Sequence, residues 1–190
     1  MNLPNLLTII RMGLVPVFIV FFYVGHGGAP VFSVLAFAVF LIAAATDAVD
    51  GHIARSRGLI TNFGKLMDPL ADKVLTTAAF IVLVDVDVIP AWMVIVILAR
   101  EFIITGLRGV AASEGVVIEA GLSGKLKTVF QMVAICLILL GSAVAHGAGA
   151  QGFWIFISWA GTICLWIAVI LTVYSGIEYF WNGRKMLNLK

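Results

Sequence analysis

Apolar residues run along this chain in long unbroken stretches of about helix-spanning length, separated by short polar or glycine-containing breaks. The stretches lack the strict alternation of half-buried strands, so the pattern predicts helices. Crossing about 30 Å of hydrocarbon takes roughly 20 helical residues, and only helices and closed barrels satisfy their own backbone there. Six spans are predicted, near 5–24, 31–55, 64–84, 90–112, 125–145 and 153–181. The breaks fall at Gly25–Pro30, Ser56–Phe63, Asp85–Ile89, Ser113–Gly124 and His146–Gly152, and Pro30 and Pro90 sit where first-turn prolines belong. The last span is long enough to tilt, or to run on along the interface and end at Trp181–Asn182–Gly183.

Composition makes lipid the solvent. The chain is 62% hydrophobic and 12% charged, with a mean hydropathy of +1.12. Soluble domains are about 45–50% apolar and about 25% charged. A core of this size has no room for the excess hydrocarbon. Disorder is excluded by the same figures. A formal net charge of +2 is too mild to indicate nucleic acid. Cys136 and Cys164 lie inside apolar runs without a partner at ligand spacing, and read as small hydrophobes in helices. With no repeat or low-complexity tract, residues 1–190 are expected to form a single membrane domain. The first apolar run, which lacks a small-residue cleavage site, is expected to be a retained span.

Charge then orients the spans. The connections at 25–30, 85–89 and 146–152 contain no Lys or Arg, whereas Arg55, Arg57, Lys65, Lys125, Lys127, Arg184, Lys185 and Lys190 flank the other ends. Cytoplasmic loops carry the excess of basic residues, so both termini are expected in the cytoplasm. Arg11, Lys73, Arg100 and Arg108 fall within helices, in or near their cytoplasmic halves.

Ionisable groups inside membrane segments cost about 2.5–3.5 kcal/mol each at the centre, which makes each a functional candidate. Asp47 and Asp50 end the second span and Asp68 and Asp72 open the third. Spacings of i,i+3 and i,i+4 put each pair on one helix face, and a short link makes the two helices neighbours. Four clustered carboxylates do not all stay ionised without compensation, and two divalent cations would supply it. Hard oxygen donors without His or Cys select Mg²⁺ or Mn²⁺, and two such ions form the usual clamp on a phosphoryl group. The plainer alternative pairs these acids with Arg55, Lys65 and Lys73. Gly51, Ala54 and Gly64 flank the acids and let backbone approach a bulky ligand, or another helix, closely.

The stretch Asp47-Ala-Val-Asp50-Gly51-His-Ile-Ala54-Arg55, eight residues, Gly64, three residues, Asp68, three residues, Asp72 resembles the complete signature of the CDP-alcohol phosphotransferase family, matching all eight fixed positions. The resemblance implies a six-helix integral membrane enzyme, often homodimeric, with its active site between helices near the cytoplasmic surface. Such an enzyme transfers a phosphatidyl or phosphoalcohol group from a CDP-linked donor to a hydroxyl and releases CMP. It further implies that Asp47, Asp50, Asp68 and Asp72 hold two metals, that Asp72 also serves as base, and that Gly51, Ala54, Arg55, Thr61 and Gly64, with Asn5 and Thr8, line the nucleotide site.

The acceptor has to come from elsewhere in the chain. Glu101, Thr105 and Arg108 share one stripe of the fourth span, beside Arg100, and Lys125 and Lys127 open the fifth. Being i,i+2, the two lysines point apart, so one is expected to face a pocket and the other to snorkel. Arg100, Arg108, Lys125 and Lys127 are candidates to bind the phosphate of an anionic acceptor; the bland alternative is positive-inside anchoring. Asn2-Leu-Pro4-Asn5-Leu-Leu-Thr8-Ile-Ile-Arg11, Ala99-Arg100-Glu101-Phe102, Gly124-Lys125-Leu-Lys127-Thr128 and Ser175-Gly-Ile-Glu178-Tyr179 resemble the bacterial branch of the family that uses CDP-diacylglycerol and glycerol 3-phosphate. That resemblance implies an inner-membrane enzyme. Alternatives are a relative using phosphatidylglycerol, as in cardiolipin synthesis, or inositol phosphate. More remote is a cation transporter, disfavoured by nearly pure hydrocarbon in the external halves. His26 and His146 read as loop residues, Asp85 and Asp87 as the end of the third span, and Pro69 as either a kink or a first-turn proline.

Overall fold

In a computed structural model, residues 3–57, 62–113, 121–147 and 151–186 are described, with side chains described outside 3–5, 7, 47–57, 62–70, 72, 113, 146, 147, 151, 152 and 182–186. These residues form six helices and no strand: α1 (Leu3–His26), α2 (Pro30–Arg57), α3 (Asn62–Asp85), α4 (Ala91–Ser113), α5 (Leu122–Gly147) and α6 (Gln151–Met186). Every predicted apolar run is a helix, with ends shifted by a few residues.

Three of those differences have physical content. Pro90 precedes α4 rather than lying in its first turn, and its carbonyl accepts the Met93 N–H at 3.1 Å. α3 begins at Asn62, so Pro69 lies inside it, where proline has no N–H to give to the helical ladder. α6 continues through Gly183 to Met186. Its 36 residues extend about 54 Å, well beyond one hydrocarbon thickness.

Asp87 ends α3 as expected, by an identifiable device. It adopts the left-handed conformation (φ 57°), which Asp tolerates better than most residues. Its N–H bonds the Val84 carbonyl at 3.0 Å while the Val88 N–H bonds that of Leu83 at 3.0 Å. This is the paired closure that satisfies the last carbonyls of a helix.

Each helix contributes to one apolar core: Phe18, Phe40, Phe80, Ile97, Ile135 and Leu165 are buried. Phe18 of α1 and Phe40 of α2 meet at 5.7 Å between ring centroids. α1 packs along α2 and, over a shorter stretch, α3, while α5 packs along α6 and α4 lies against α6. The α5–α6 seam is tight at Gly161, where an added Cβ would lie 3.2 Å from the Ile138 nitrogen and 2.7 Å from its Cγ1. Such close backbone approach is how helices associate in lipid, where hydrocarbon outside is as apolar as hydrocarbon inside.

The exterior is apolar. Val31, Ile95, Phe156, Trp159 and Ile170 are exposed, a surface suited to acyl chains. Thr8–His26, Leu122–Ala145 and Phe153–Trp181 are each long and apolar enough to cross a bilayer, and Pro30–Thr46 is a shorter apolar segment. Charged residues interrupt the corresponding stretches of α3 and α4. Among its described residues the protein is all-helical, and its long apolar helices are those of a membrane protein. Cys136 and Cys164 are free and half-buried.

Candidate active site

The four aspartates fall on helical backbone. Asp47 and Asp50 lie in the last turns of α2, and Asp68 and Asp72 in the first turns of α3. Each pair therefore spans one helical turn, as its spacing requires. As a donor set, four carboxylates without nitrogen or sulfur suit hard divalent cations. The side chains of these aspartates, and of Asn5, Gly51, Ala54, Arg55 and Gly64, lie outside those described, and Thr61 lies outside the described residues. Thr8 is buried on α1 together with Arg11, which is 0% exposed. A fully enclosed arginine in an apolar helix is costly unless its charge is used.

One residue beyond Asp72, the structure becomes specific. Lys73 Nζ donates to the Glu101 carbonyl oxygen at 3.4 Å and to the Thr105 hydroxyl, joining α3 to α4. The Glu101 carboxylate turns toward α5 and accepts a charged hydrogen bond from Lys127 Nζ at 2.6 Å. Lys127 is 2% exposed, whereas Lys125 is exposed. The i,i+2 spacing thus sends one lysine inward and the other outward.

Arg100 completes the cluster from α4. A Cβ at Gly176 of α6 would lie 3.5 Å from its Cγ, and one at Gly124 of α5 would lie 3.5 Å from a terminal guanidinium nitrogen. The side chain thus passes between two residues that have none. Its Nε is buried and has no hydrogen-bond partner among the described residues; the same is true of Gln131 Nε2 and the Tyr179 hydroxyl. Buried polar atoms without partners are costly, and Tyr179 lies within electrostatic reach of Arg100. Lys73, Arg100 and Glu101 all act electrostatically on Lys127, giving three cations against one carboxylate among the described side chains. Arg108 is exposed and acts electrostatically on both Arg100 and Tyr179. On the neighbouring face, Ser123 donates to Glu178 at 2.5 Å, tying α5 to α6.

Arg100 also lines a cleft of about 590 Å³ between α4 and α6, walled by Val96, Ile103, Val173, Ile177 and Phe180. Polar cluster and apolar cleft therefore meet at Arg100. Of the residues expected to bind an acceptor phosphate, the structure brings Arg100 and Lys127 together, places Arg108 at their edge and turns Lys125 to the surface. It adds Lys73, which reaches Glu101 and Thr105 of α4. Lys73 was visible in the sequence as an ionisable group within a span, but its distance from Glu101 along the chain hid their contact.

Comparison with known proteins agrees with this chemistry. The family described as CDP-alcohol phosphatidyltransferase matches residues 1–174. This chain belongs to the CDP-alcohol phosphatidyltransferase family. Members of that family generally use divalent metals. The chain is 43% identical over 200 residues, covering 98% of it and 99% of the relative, to the CDP-diacylglycerol–glycerol-3-phosphate 3-phosphatidyltransferase of Bacillus subtilis (strain 168). Proteins of the same name from Rickettsia bellii (strain RML369-C) and Salmonella paratyphi A (strain ATCC 9150 / SARB42) are similar. The first is 41% identical, with 97% of this chain and 96% of the relative covered. The second is 37% identical, with 96% and 95% covered. As a CDP-alcohol phosphatidyltransferase, the chain carries the signature aspartates on α2 and α3 and a cationic cluster contributed by α3, α4 and α5.

Proposed function

We propose that this chain transfers the phosphatidyl group of CDP-diacylglycerol to sn-glycerol 3-phosphate, giving phosphatidylglycerophosphate and CMP. The observation that carries the choice of acceptor is the cluster of Lys73, Arg100 and Lys127 around Glu101, whose carboxylate is the one acid among the described side chains of the cluster. Its surplus of positive charge suits a second phosphate besides the diphosphate of the donor, and a neutral alcohol would leave that charge unmet. The names and near end-to-end similarity of the relatives support the same choice.

In this reading Asp47, Asp50, Asp68 and Asp72 hold two Mg²⁺ or Mn²⁺ ions. Bound there, the ions would neutralise the diphosphate and lower the pKa of a nearby hydroxyl. Gly51, Ala54, Arg55, Thr61 and Gly64, with Asn5 and Thr8, receive the cytidine diphosphate. Arg100 and Lys127 hold the acceptor phosphate, with Arg108 guiding its entry and Lys125 adding surface charge. Asp72 takes the proton of the primary hydroxyl as its oxygen bonds to the lipid-side phosphorus and the phosphorus–oxygen bond to CMP breaks. A carboxylate is a weak base for an alcohol, so this transfer is concerted with attack. Positioning and charge compensation supply most of the acceleration, as in other phosphoryl transfers.

The protein is then a single six-span domain of the bacterial cytoplasmic membrane with both termini in the cytoplasm, working as a homodimer on that surface. Purified protein with CDP-diacylglycerol and Mg²⁺ or Mn²⁺, offered glycerol 3-phosphate, phosphatidylglycerol or inositol phosphate in turn, tests the reading. CMP release with glycerol 3-phosphate supports it, and release only with another acceptor overturns it.

A further inference from the structure

Glu101 is the one described residue whose backbone and side chain face two different lysines on two different helices. Its carbonyl oxygen receives Lys73 of α3 at 3.4 Å, one residue beyond Asp72. Its carboxylate receives Lys127 of α5 at 2.6 Å. Thr105, one turn further along α4, also binds Lys73. Helices in lipid gain little from hydrophobic packing, so polar contacts of this kind have unusual weight in fixing their relative rotation. A buried ion pair adds little net stability but holds its members in one geometry, and removing one member strands the other. An unpaired Lys127 in this setting would withdraw toward solvent, because its stem is long and its charge is poorly tolerated where it now lies.

We propose that Glu101 is a positioning residue, holding the Lys127 ammonium at the point where the acceptor's phosphate binds and fixing that point relative to the aspartate-bearing turn of α3. The residue touches no substrate and acts through the lysine. This assignment rests on the acceptor reading above.

Steady-state kinetics of the full-length protein in detergent, with CDP-diacylglycerol, Mg²⁺ and varied glycerol 3-phosphate, tests it in Glu101→Gln, Lys127→Gln and the double variant. Each single change is expected to raise the KM for glycerol 3-phosphate about tenfold, with a smaller effect on kcat, as for lost uniform binding. The double variant is expected to be no worse than Lys127→Gln alone, since residues acting as a unit are not additive. Glu101→Asp, which keeps the charge one methylene short, is expected to recover part of the loss, and it replaces Glu101→Gln should that variant fail to accumulate. Additive losses in the double variant, or a fall in kcat with both KM values unchanged, would overturn the assignment. Non-additivity found in the KM for CDP-diacylglycerol instead would uphold the coupling of Glu101 to Lys127 and overturn the placement of the acceptor.

Discussion

Lys127 Nζ lies 2.6 Å from a Glu101 carboxylate oxygen, and both side chains are largely withdrawn from solvent. The pair joins α4 to α5 at the level where α4 also receives Lys73 from α3. A cationic cluster is therefore braced against the helix that carries Asp68 and Asp72. On the proposed function, two anionic substrates call for two centres of positive charge at a fixed separation, which this bracing would provide.

Replacing any one of Asp47, Asp50, Asp68 or Asp72 by Asn is expected to lower kcat at least about a hundredfold, since in the proposed reading each is a metal ligand and ligand loss exceeds the 10–100-fold typical of outer-shell changes. Yield and helical content in the membrane fraction should stay unchanged. Full turnover in Asp72→Asn would refute its role as base.

Chelation with excess EDTA is expected to abolish CMP release, and Mg²⁺ or Mn²⁺ added back should restore it while Ca²⁺, larger and less strict in geometry, should not. CMP release followed by chromatography reads the outcome directly. Undiminished turnover after thorough chelation would remove the two-ion reading.

Arg100→Met keeps the apolar stem against Gly176 and deletes the guanidinium that reaches Gly124. The KM for glycerol 3-phosphate is expected to rise about ten- to a hundredfold, the range for one charged contact to an anion. Arg108→Ala, at an exposed position, should raise it less and more steeply at low salt, because screening already weakens exposed charges. Initial rates at two ionic strengths separate the two.

Gly161→Val is expected to destabilise the protein by about 1–3 kcal/mol through overpacking, because its Cβ would collide with Ile138 across the α5–α6 seam. Gly13→Ala, which has open space around it, should hold or slightly raise the melting temperature, since Ala is the better helix former. Thermal unfolding in detergent compares them.

At the far end of the bundle the Tyr23 hydroxyl donates to Asp85 at 2.8 Å. Tyr23→Phe is expected to cost no more than about 1 kcal/mol, as for an exposed polar contact. It should leave kcat and both KM values unchanged, which melting curves and the CMP assay check together.

Much of the architecture was legible along the chain. Hydrocarbon length fixes how many apolar residues a span needs, and a helix closes its own hydrogen bonds, so each of the six helices could be read from local hydropathy alone. The i,i+3 and i,i+4 spacing of the aspartates depends only on the helical repeat. The extension of α6 through Gly183 was not legible, because a helical glycine and a stop glycine look alike in sequence. Nor was the interior position of Pro69 decided until the start of α3 at Asn62 was known.

What the sequence by itself determined is therefore what a single helix determines: its existence, its approximate length and the register of Asp47 with Asp50 and of Asp68 with Asp72. The tertiary structure alone decided that Lys127 turns inward and Lys125 outward, that Glu101 faces both Lys73 and Lys127, and that Arg11 is fully enclosed. The reason is the solvent. In water an apolar stripe marks the buried face of a helix, but in lipid both faces can be apolar. The rotation of each helix about its axis is then settled by close packing at sites such as Gly161 and by the pairing of a few charges, which involve residues remote from one another in the chain.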